Sequence, residues 1–375
     1  MTPSTDYLNK YCFVESYKYR PRVTQAMLSI KFIRENKDAI IANIKRKEEE
    51  EKLSKVEELL ELDEQWRKDK KAVDDLRAER NKVSEDINTT KKAGGDIKPL
   101  VEKAKSIPSQ IKDLEERMAK DEEVMKRIAA QVPNLMHQDV PVGKSDEDNP
   151  TVKEWGEKKD FDFTVKNHVE LCEELGIADF DASGEVSGAG FYYLKGDLAM
   201  LNQALIRFAI DHMNQKGYLY VEPPLMVRKH VLDAAMDTEG FSETIYKVDT
   251  EEEDPVCIIG TAEHPILGMI EGKTLTEDEL PMKVFGYSMC FRQEIGSHGI
   301  NEKGLWRTHQ FNKVEQFIFC LPEQTWDAYE ELKKNSEEIL EALELPYRIV
   351  EICTGDLSLW KARSHDFEVW RPTTK

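Results

Sequence analysis

The chain has no long apolar run and no cysteine arrangement that would support cross-links or a metal. Among its longest apolar stretches is Phe317-Ile318-Phe319-Cys320-Leu321, far short of the roughly 18 residues that a membrane-spanning helix needs. The six cysteines are dispersed, without a C-x-x-C pair or a histidine at zinc spacing. Residues 1–26 mix tyrosines with charged side chains and lack the apolar centre of a secretory signal. These absences predict a cytoplasmic protein without a membrane segment, a disulfide framework or a structural metal.

Basic side chains are outnumbered, with 53 lysines and arginines against 73 acidic residues and a net charge of −20. An acidic surface repels a phosphate backbone, so indiscriminate nucleic-acid binding is excluded and any such contact requires a locally basic segment. The 375 residues and the 34% charged fraction exceed what one compact domain of ordinary composition, with about 25% charged residues, would show. Two or more structural units are therefore predicted.

Familiar phosphate-binding loops are missing as well. Gly143-Lys144-Ser145 resembles the end of a P-loop, but Gln138 stands where the first glycine belongs and no apolar strand precedes it. The stretch from Ser187 to Tyr193 fails the dinucleotide-binding pattern at its last glycine. Neither a P-loop nor a dinucleotide site is predicted.

Two segments of the N-terminal third carry apolar residues at alternating steps of three and four, which is typical of helices that pack along one seam. The first series is Leu59, Leu62, Trp66, Asp69, Val73, Leu76, Arg80, Val83 and Ile87, in which two positions are polar, and the second is Leu100, Ala104, Ile107, Ile111, Leu114, Met118, Asp121, Met125 and Ile128, in which one is. Helix-breaking residues 91–96 separate them. The pattern predicts an antiparallel helical hairpin about 50 to 60 Å long; a continuous, dimerising coiled coil is the alternative.

Positive charge is concentrated in the distal half of this hairpin. Residues 77–112 contain nine basic and five acidic side chains, a local excess of four. The candidate contacts to nucleic acid are Arg77, Arg80, Lys91, Lys92, Lys98 and Lys103. A charged segment is usually a solvated face, so this feature by itself leaves binding and solvation both open.

Beyond a polar linker at 141–150, helices and short strands are mixed. Residues 198–215 and 323–343 have amphipathic helical patterns, whereas 218–222 alternates like a strand. Strands and helices do not alternate strictly, which favours an α+β fold with an antiparallel sheet flanked by helices.

Three short segments combine charged, hydroxyl and aromatic side chains at strand spacing. If each is extended, one face presents Thr261 with Glu263, Arg292 with Glu294, and Phe311 with Lys313, Glu315 and Phe317. An arginine can neutralise a phosphate, glutamates can hold an amine, and an aromatic ring can stack on a base. We interpret this face as a site for a zwitterionic ligand joined to a nucleotide; mutually satisfied surface ion pairs are the alternative.

A loop with three glycines, residues 296–307, separates the last two segments and returns Arg307 toward the sheet. Such a loop can close over a ligand, although a plain connecting hairpin fits the same pattern. His298 and His309 are candidate acid–base groups, but a lone histidine is more often structural, so neither is assigned a catalytic role.

Taken together, these fragments resemble the seryl-tRNA synthetases, a family of class II aminoacyl-tRNA synthetases. The most specific similarity is motif 2, formed by Phe291 to Glu294 and Arg307 to Glu315; Thr261 to Glu263 and Thr354 to Asp356 add to it. Residues 217–224 correspond to motif 1, which builds the dimer interface of class II enzymes. The resemblance implies an extension of unknown role at 1–26, a tRNA-binding hairpin at 27–135, a linker at 136–160 and a class II catalytic domain at 161–375.

The resemblance also implies an activity and its residues. Thr261, Ala262, Glu263 and Glu315 would bind serine, and Arg292, Gln293, Glu294, Thr308 and Phe311 would bind ATP, with Arg307 in the motif 2 loop. The expected reaction converts L-serine and ATP, with Mg²⁺, into seryl-adenylate and then esterifies tRNA(Ser). The expected partners are tRNA(Ser), held by the basic arm, and a second copy of the chain, held through Gly217 to Pro224.

In the family, a metal-binding glutamate and a motif 3 arginine follow the segment that ends here, which places both beyond Lys375. No metal ligand is therefore predicted within the chain, and we expect the 375 residues by themselves to show little or no serine-dependent exchange of pyrophosphate into ATP. Two hypotheses follow: a serine–tRNA ligase represented by a catalytic domain incomplete at its C-terminus, or a non-catalytic relative that binds tRNA or protein and has lost adenylation.

Overall fold

The computed structural model describes residues 28–235, 244–248, 252, 254–294 and 303–373. Its helices are α1 (Ile30–Glu35), α2 (Lys37–Arg46), α3 (Leu53–Lys92), α4 (Lys98–Ala129), α5 (His168–Leu175), α6 (Phe180–Ser187), α7 (Gly196–Gln215), α8 (Lys229–Ala235), α9 (Glu263–Ile270) and α10 (Thr325–Ala342). Its strands are β1 (Thr151–Trp155), β2 (Ala178–Asp179), β3 (Tyr193–Leu194), β4 (Leu219–Val221), β5 (Met226–Arg228), β6 (Val256–Ile258), β7 (Met282–Phe291), β8 (Gln310–Phe319), β9 (Tyr347–Glu351) and β10 (His365–Val369). Within the described part of the chain, no helix combines the length and apolar character that crossing a membrane requires. The predicted extension at 1–26 lies outside the described residues.

Helices α3 and α4 form the predicted antiparallel hairpin within one chain. The turn between them places Gly94 in the left-handed region at φ +73°, which glycine adopts without steric cost. The Asp96 carboxylate accepts a hydrogen bond from the Lys98 amide at 2.9 Å. The buried seam contains Val73, Val83, Ile107 and Ile111. Because both seams are buried against each other, the intrachain hairpin is confirmed over the dimerising coiled coil.

A charged pair lies at the edge of this apolar seam, where a buried aspartate meets an exposed arginine. Asp69 is 4% exposed and accepts hydrogen bonds from the Arg117 guanidinium at 2.6 and 2.5 Å. Gln65 donates a further bond to the same carboxylate at 2.9 Å. A shift of one helical turn, about 5.4 Å, would separate the two charges and leave a buried carboxylate unpaired. The pair therefore favours the observed register of α3 against α4.

The root of the hairpin is a separate small core. Helices α1 and α2 fold across the bases of α3 and α4 and bury an aliphatic cluster, whose members are Ile33, Ile40, Ile44, Val56, Leu59, Met125, Ile128, Ala129 and Val132. Arg34 donates to both oxygens of Asp63 at 3.0 and 2.8 Å. The arm is thus anchored at its base by packing rather than by its connecting loops alone.

The second half of the chain is built around the sheet β4-β7-β8. Strands β7 and β8 pair antiparallel over ten residues, whereas β4 joins β7 in parallel. Phe285 packs with Met213 and Tyr218 on one face, and Val284 packs with Ala262 and Ile266 on the other. A second antiparallel sheet has the order β1-β9-β10. The predicted α+β class is confirmed, as are the helices at 198–215 and 323–343 and the strand at 218–222.

The prediction of a strand was wrong for two of the three segments. Thr261 lies in a turn and Glu263 is the first residue of α9. The β7 strand ends at Phe291, and Glu294 has a left-handed φ of +51°. Three residues with period-two spacing also fit a turn that leads into a helix, so the pattern was too short to decide. The third segment, Phe311 to Phe317, is extended as predicted.

Candidate active site

A cleft of about 540 Å³ opens beside the turn that leads into α9. Its lining residues are Leu232, Ala235, Thr244, Ile245, Ile258, Gly260, Thr261, Glu263, His264, Phe291, Arg292, Glu294, Arg307, Ser358, Trp360 and Lys361. Five of the predicted site residues therefore meet here, although two of their segments are not strands. The remaining predicted residues lie in or beside the elements that hold these five.

Thr261 is positioned by a network on one edge of the cleft. Its hydroxyl donates to the Glu315 carboxylate at 2.5 Å and is itself approached by the Lys313 ammonium at 3.0 Å. The Ala262 amide donates to the same Glu315 oxygen at 2.8 Å, and Lys313 forms an ion pair with Glu315. Because Lys313 and Glu315 share one face of β8, the strand carries both anchors of the Thr261 turn.

Glu263 and His264 face the cleft from the first turn of α9. Glu263 is exposed to the cleft, and the protein atoms packed around its carboxylate, together with the neighbouring Glu315 carboxylate, raise its pKa. His264 is 6% exposed, and burial lowers its pKa to about 4, so the imidazole is neutral at pH 7. Its Nδ1 has no hydrogen-bond partner among the described residues. This wall therefore favours a ligand that brings positive charge to the carboxylate.

Arg292 supplies positive charge at the other end of the cleft. Its Nε and Nη2 donate to the Gly260 carbonyl, both at 3.2 Å. The guanidinium carbon lies 5.2 Å from the centre of the Phe311 ring, within range of a cation–π contact. The arginine is exposed, and its partners are a neutral carbonyl and a ring. A phosphate oxygen can therefore replace these partners without breaking an ion pair.

The other predicted ATP-binding residues hold the mouth of the cleft. Glu294 pairs with Arg307 at 2.6 Å, which connects the two ends of the motif 2 loop. The Gln293 side chain donates to the Ile245 carbonyl at 2.9 Å, and the buried Thr308 hydroxyl donates to the Gln310 carbonyl at 2.9 Å. Residues 296–302 of the predicted loop lie outside the described residues.

One of the two candidate histidines, His309, belongs to the described residues. His298 lies outside the described residues. His309 stacks on Phe191 with ring centres 5.2 Å apart, and its Nδ1 lies 2.8 Å from the Arg292 carbonyl. His309 therefore supports the backbone of Arg292, in keeping with the structural role expected of a lone histidine.

The sequence interpretation missed one wall of the cleft, formed by Ser358, Trp360 and Lys361. These residues lie in the irregular segment between β9 and β10, where neither period two nor period 3.6 applies. It also missed His264, whose only signal was its position next to Glu263. Lys361 acts electrostatically on Glu263 and lowers its pKa against the opposing effect of burial.

The residues that correspond to motif 1 lie on an apolar surface away from the cleft. Gly217 ends α7 in the left-handed region at φ +81°. Apolar side chains remain exposed on α7 and on the following strand, with Met200 at 69%, Leu201 at 52%, Leu205 at 42% and Leu219 at 63%. An apolar face of this kind is typical of a protein–protein interface.

The six basic arm residues fall into two groups. Arg77 pairs with Glu115 at 2.7 Å and Lys103 pairs with Glu79 at 2.5 Å. The remaining four are exposed, and no acidic side chain of the described chain lies within 4 Å of their charged nitrogens; they are Arg80, Lys91, Lys92 and Lys98. Three of them, Lys91, Lys92 and Lys98, flank the turn between α3 and α4, called the tip turn below. Three of the four unpaired candidates therefore lie at the distal end of the arm.

Among the described residues, no group of three or more histidines, cysteines and carboxylates could hold a metal ion. A divalent cation needs several oxygen ligands, so the chain's described side chains do not fit a Mg²⁺ site of their own.

Comparisons with known proteins agree with this architecture. Residues 27–136 match the seryl-tRNA synthetase N-terminal domain, and residues 246–375 match the tRNA synthetase class II core domain (G, H, P, S and T). A serine–tRNA ligase from Methanocorpusculum labreanum is 43% identical over 346 residues, covering 92% of this chain and 81% of that protein.

Two solved structures are also similar. The seryl-tRNA synthetase from Pyrococcus horikoshii complexed with ATP is 38% identical with a TM-score of 0.85, covering 92% of this chain and 81% of that one. The cytoplasmic serine–tRNA ligase from Naegleria fowleri in complex with AMP is 28% identical with a TM-score of 0.82, covering 92% and 82% of the two chains. The chain therefore belongs to the seryl-tRNA synthetase family of class II aminoacyl-tRNA synthetases.

Proposed function

We propose that the chain is a serine–tRNA ligase whose cleft binds L-serine and ATP side by side. The observation that carries the proposal is the convergence of Thr261, Glu263 and Arg292 on one cleft. These three groups offer a hydroxyl, a carboxylate and a guanidinium at successive points, which complement the amine and hydroxyl of serine and a phosphate.

The amino-acid end lies at the first turn of α9. Burial and the neighbouring Glu315 carboxylate raise the pKa of Glu263, so an added positive charge nearby would favour its ionised form. The serine ammonium would supply that charge, so binding and ionisation of Glu263 stabilise each other. Thr261 is held in a fixed orientation by Glu315, and Glu315, with Ala262, is the support through which the serine-binding residues act.

The nucleotide end lies at Arg292 and Phe311. The guanidinium would exchange the Gly260 carbonyl for an oxygen of the ATP α-phosphate, and the Phe311 ring would then stack on adenine. Glu294, which pairs with Arg307, would accept a hydrogen bond from the adenine amino group. Gln293 and Thr308 keep the backbone of this end in place through their own hydrogen bonds.

The chemistry follows from this arrangement. A serine carboxylate oxygen attacks the α-phosphorus, the bond to the bridging oxygen breaks, and pyrophosphate leaves with the electron pair. A terminal ribose hydroxyl of tRNA then attacks the acyl carbon, forming the ester and releasing AMP together with the hydroxyl proton. The side chains described here bind and orient the reactants and neutralise charge. Mg²⁺ would enter with the substrate as MgATP and neutralise charge on its phosphates.

The other partners use other surfaces. Lys91, Lys92 and Lys98 at the arm tip would bind the phosphate backbone of tRNA(Ser). This contact would depend on the charge and the shape of the RNA. The exposed apolar residues of α7 and Leu219 would form a homodimer interface around Gly217 to Pro224.

Equilibrium binding tests the proposal without requiring turnover. The non-hydrolysable analogue 5′-O-(N-L-seryl)sulfamoyl adenosine should bind at one molecule per chain in isothermal titration, in competition with both serine and ATP. Arg292→Ala should weaken binding at least tenfold, while Lys273→Ala, an exposed change outside the cleft, should not. A chain that binds tRNA(Ser) but not the analogue would be the non-catalytic relative, and the ligase proposal would fail.

A further inference from the structure

Residues Ser358, Trp360 and Lys361 form one wall of the cleft. The root of the arm holds this wall in place through hydrogen bonds. The segment 354–362 connects β9 to β10 in irregular conformation and has no strand partner of its own. Its backbone carbonyls instead accept hydrogen bonds from residues more than 200 positions earlier in the chain. The contacts of the N-terminal helices therefore reach a surface that the ligand touches.

Lys47 makes the deepest of these contacts. Its side chain, just beyond α2, is 8% exposed, and its ammonium donates to the Thr354 carbonyl at 2.8 Å and to the Leu357 carbonyl at 2.5 Å. Burial lowers the pKa of Lys47, as expected for an ammonium held by dipoles in place of water. A buried cation of this kind persists only where its acceptors are well placed.

The two carbonyls belong to a tight turn whose geometry continues into the cleft. The Leu357 amide donates to the Cys353 carbonyl at 2.9 Å, so both acceptors point from one end of a helical turn, where the backbone carries partial negative charge. Ser358, the next residue, lines the cleft. Loss of the Lys47 hydrogen bond to Leu357 would therefore shift Ser358, its neighbour in the chain, and with it the lining of the cleft.

A second set of bonds fixes the remainder of the wall. Asn134 donates from its amide to the Leu359 carbonyl at 2.9 Å and from its side chain to the Trp360 carbonyl at 3.1 Å. Asn43 on α2 donates in turn to the Asn134 carbonyl at 3.0 Å. Helix α2 thus holds both ends of the wall, one directly and one through Asn134.

We propose that Lys47 is a positioning residue for the amino-acid half of the cleft, acting through the Thr354–Leu357 turn on Ser358, Trp360 and Lys361. The inference rests on the proposed function of the cleft. The amino-acid half is affected because Lys361 lies close enough to Glu263 to act on its charge. The nucleotide half depends on Arg292 and Phe311, which are carried by β7, β8 and the Gly260 carbonyl. The arm root is therefore part of the active-site architecture as well as a support for tRNA.

Lys47→Met tests this inference because methionine keeps much of the apolar stem and removes the donor. Serine binding should weaken about tenfold or more, while ATP binding stays within twofold, both measured by isothermal titration. Lys52→Met is the matched control, since Lys52 lies in the same root and pairs with Glu49 at 2.8 Å; it should change neither affinity.

A second variant distinguishes the positioning role of Lys47 from a purely structural one. Ile44→Val removes one methylene from the same root core, where Ile44 is fully buried, and should lower the melting temperature by a few degrees with unchanged serine affinity. Equal weakening of serine and ATP in Lys47→Met, or no weakening of either, would overturn the inference. Failure of the wild-type chain to bind the seryl analogue would instead overturn the proposed function.

Discussion

Replacing the three unpaired lysines at the arm tip should weaken tRNA binding and leave the fold of the chain unchanged. The variant Lys91→Gln/Lys92→Gln/Lys98→Gln removes three exposed charges that lack acidic partners among the described residues. Each contact to a phosphate contributes about 0.7 to 0.9 to the slope of log K against log salt. If all three lysines bind phosphate, the slope should become shallower by about 2 to 2.7.

The same relation gives the loss of affinity. Extrapolated from about 1 M to about 0.15 M salt, each lost contact weakens binding about 3.8- to 5.5-fold, so the triple variant should bind tRNA(Ser) about 50- to 170-fold more weakly. Filter binding or fluorescence anisotropy over a salt series measures both quantities. Circular dichroism should show an unchanged helical content, because the three residues are exposed.

A control variant removes the same number of charges from the proximal half of the hairpin, although one of them, Lys68, pairs with Glu64 at 2.6 Å. Lys68, Lys71 and Lys120 lie roughly 30 to 36 Å from the tip turn along the helices. The variant Lys68→Gln/Lys71→Gln/Lys120→Gln has the same net charge as the tip variant and should keep most of the affinity and slope. If tip and control variants lose equal affinity, or if the tip variant keeps the wild-type slope, the tip is not the contact surface.

Three further predictions concern the other parts of the molecule. Phe311→Ala should weaken ATP binding about 5- to 150-fold, from about 1–3 kcal/mol of lost base stacking, and leave serine binding unchanged in separate titrations; unchanged ATP binding would place adenine elsewhere. The Arg117 guanidinium lowers the pKa of Asp69 in the folded chain, so the stabilisation by this pair is present above the unfolded value of about 3.9 and is lost as the pH falls through the folded value. Asp69→Asn should therefore lower the melting temperature at pH 7, with a difference from wild type that shrinks below about pH 4; a difference independent of pH would contradict the pairing. Leu201→Asp/Leu205→Asp should convert a dimer into a monomer in analytical ultracentrifugation, and a wild-type chain that sediments as a monomer would contradict the interface on α7.

The arm could be predicted from the sequence because its information is local. The spacing of Val73 and Val83 along one helix, and of Ile107 and Ile111 along the other, indicates two seams, and Gly94 and Gly95 indicate the turn between them. Of the predicted site residues, five line one cleft, namely Thr261, Glu263, Arg292, Glu294 and Arg307. Their strand assignments failed at Thr261 and Arg292 because three alternating residues do not distinguish a strand from the edge of a turn.

The third wall of the cleft could not be predicted because its positioning is non-local. The ammonium of Lys47 reaches the Thr354 carbonyl across 307 positions of sequence, and its acceptors are backbone atoms that carry no residue-specific pattern. A single buried lysine at the end of an amphipathic helix gives no signal of that contact. The role of Trp360 likewise follows from where Asn134 holds its carbonyl.

The discrimination between serine and alanine by the cleft tests the central claim most directly. The seryl and alanyl sulfamoyl adenosines differ by one hydroxyl, and a site built to bond that hydroxyl rejects the analogue that lacks it by a large factor, because its own polar groups are then left unpaired. Competition titration should show at least about 100-fold preference for the seryl compound, and Thr261→Val should remove most of that preference. Equal affinity of the wild-type chain for the two compounds would contradict the assignment of this cleft as a serine-activating site.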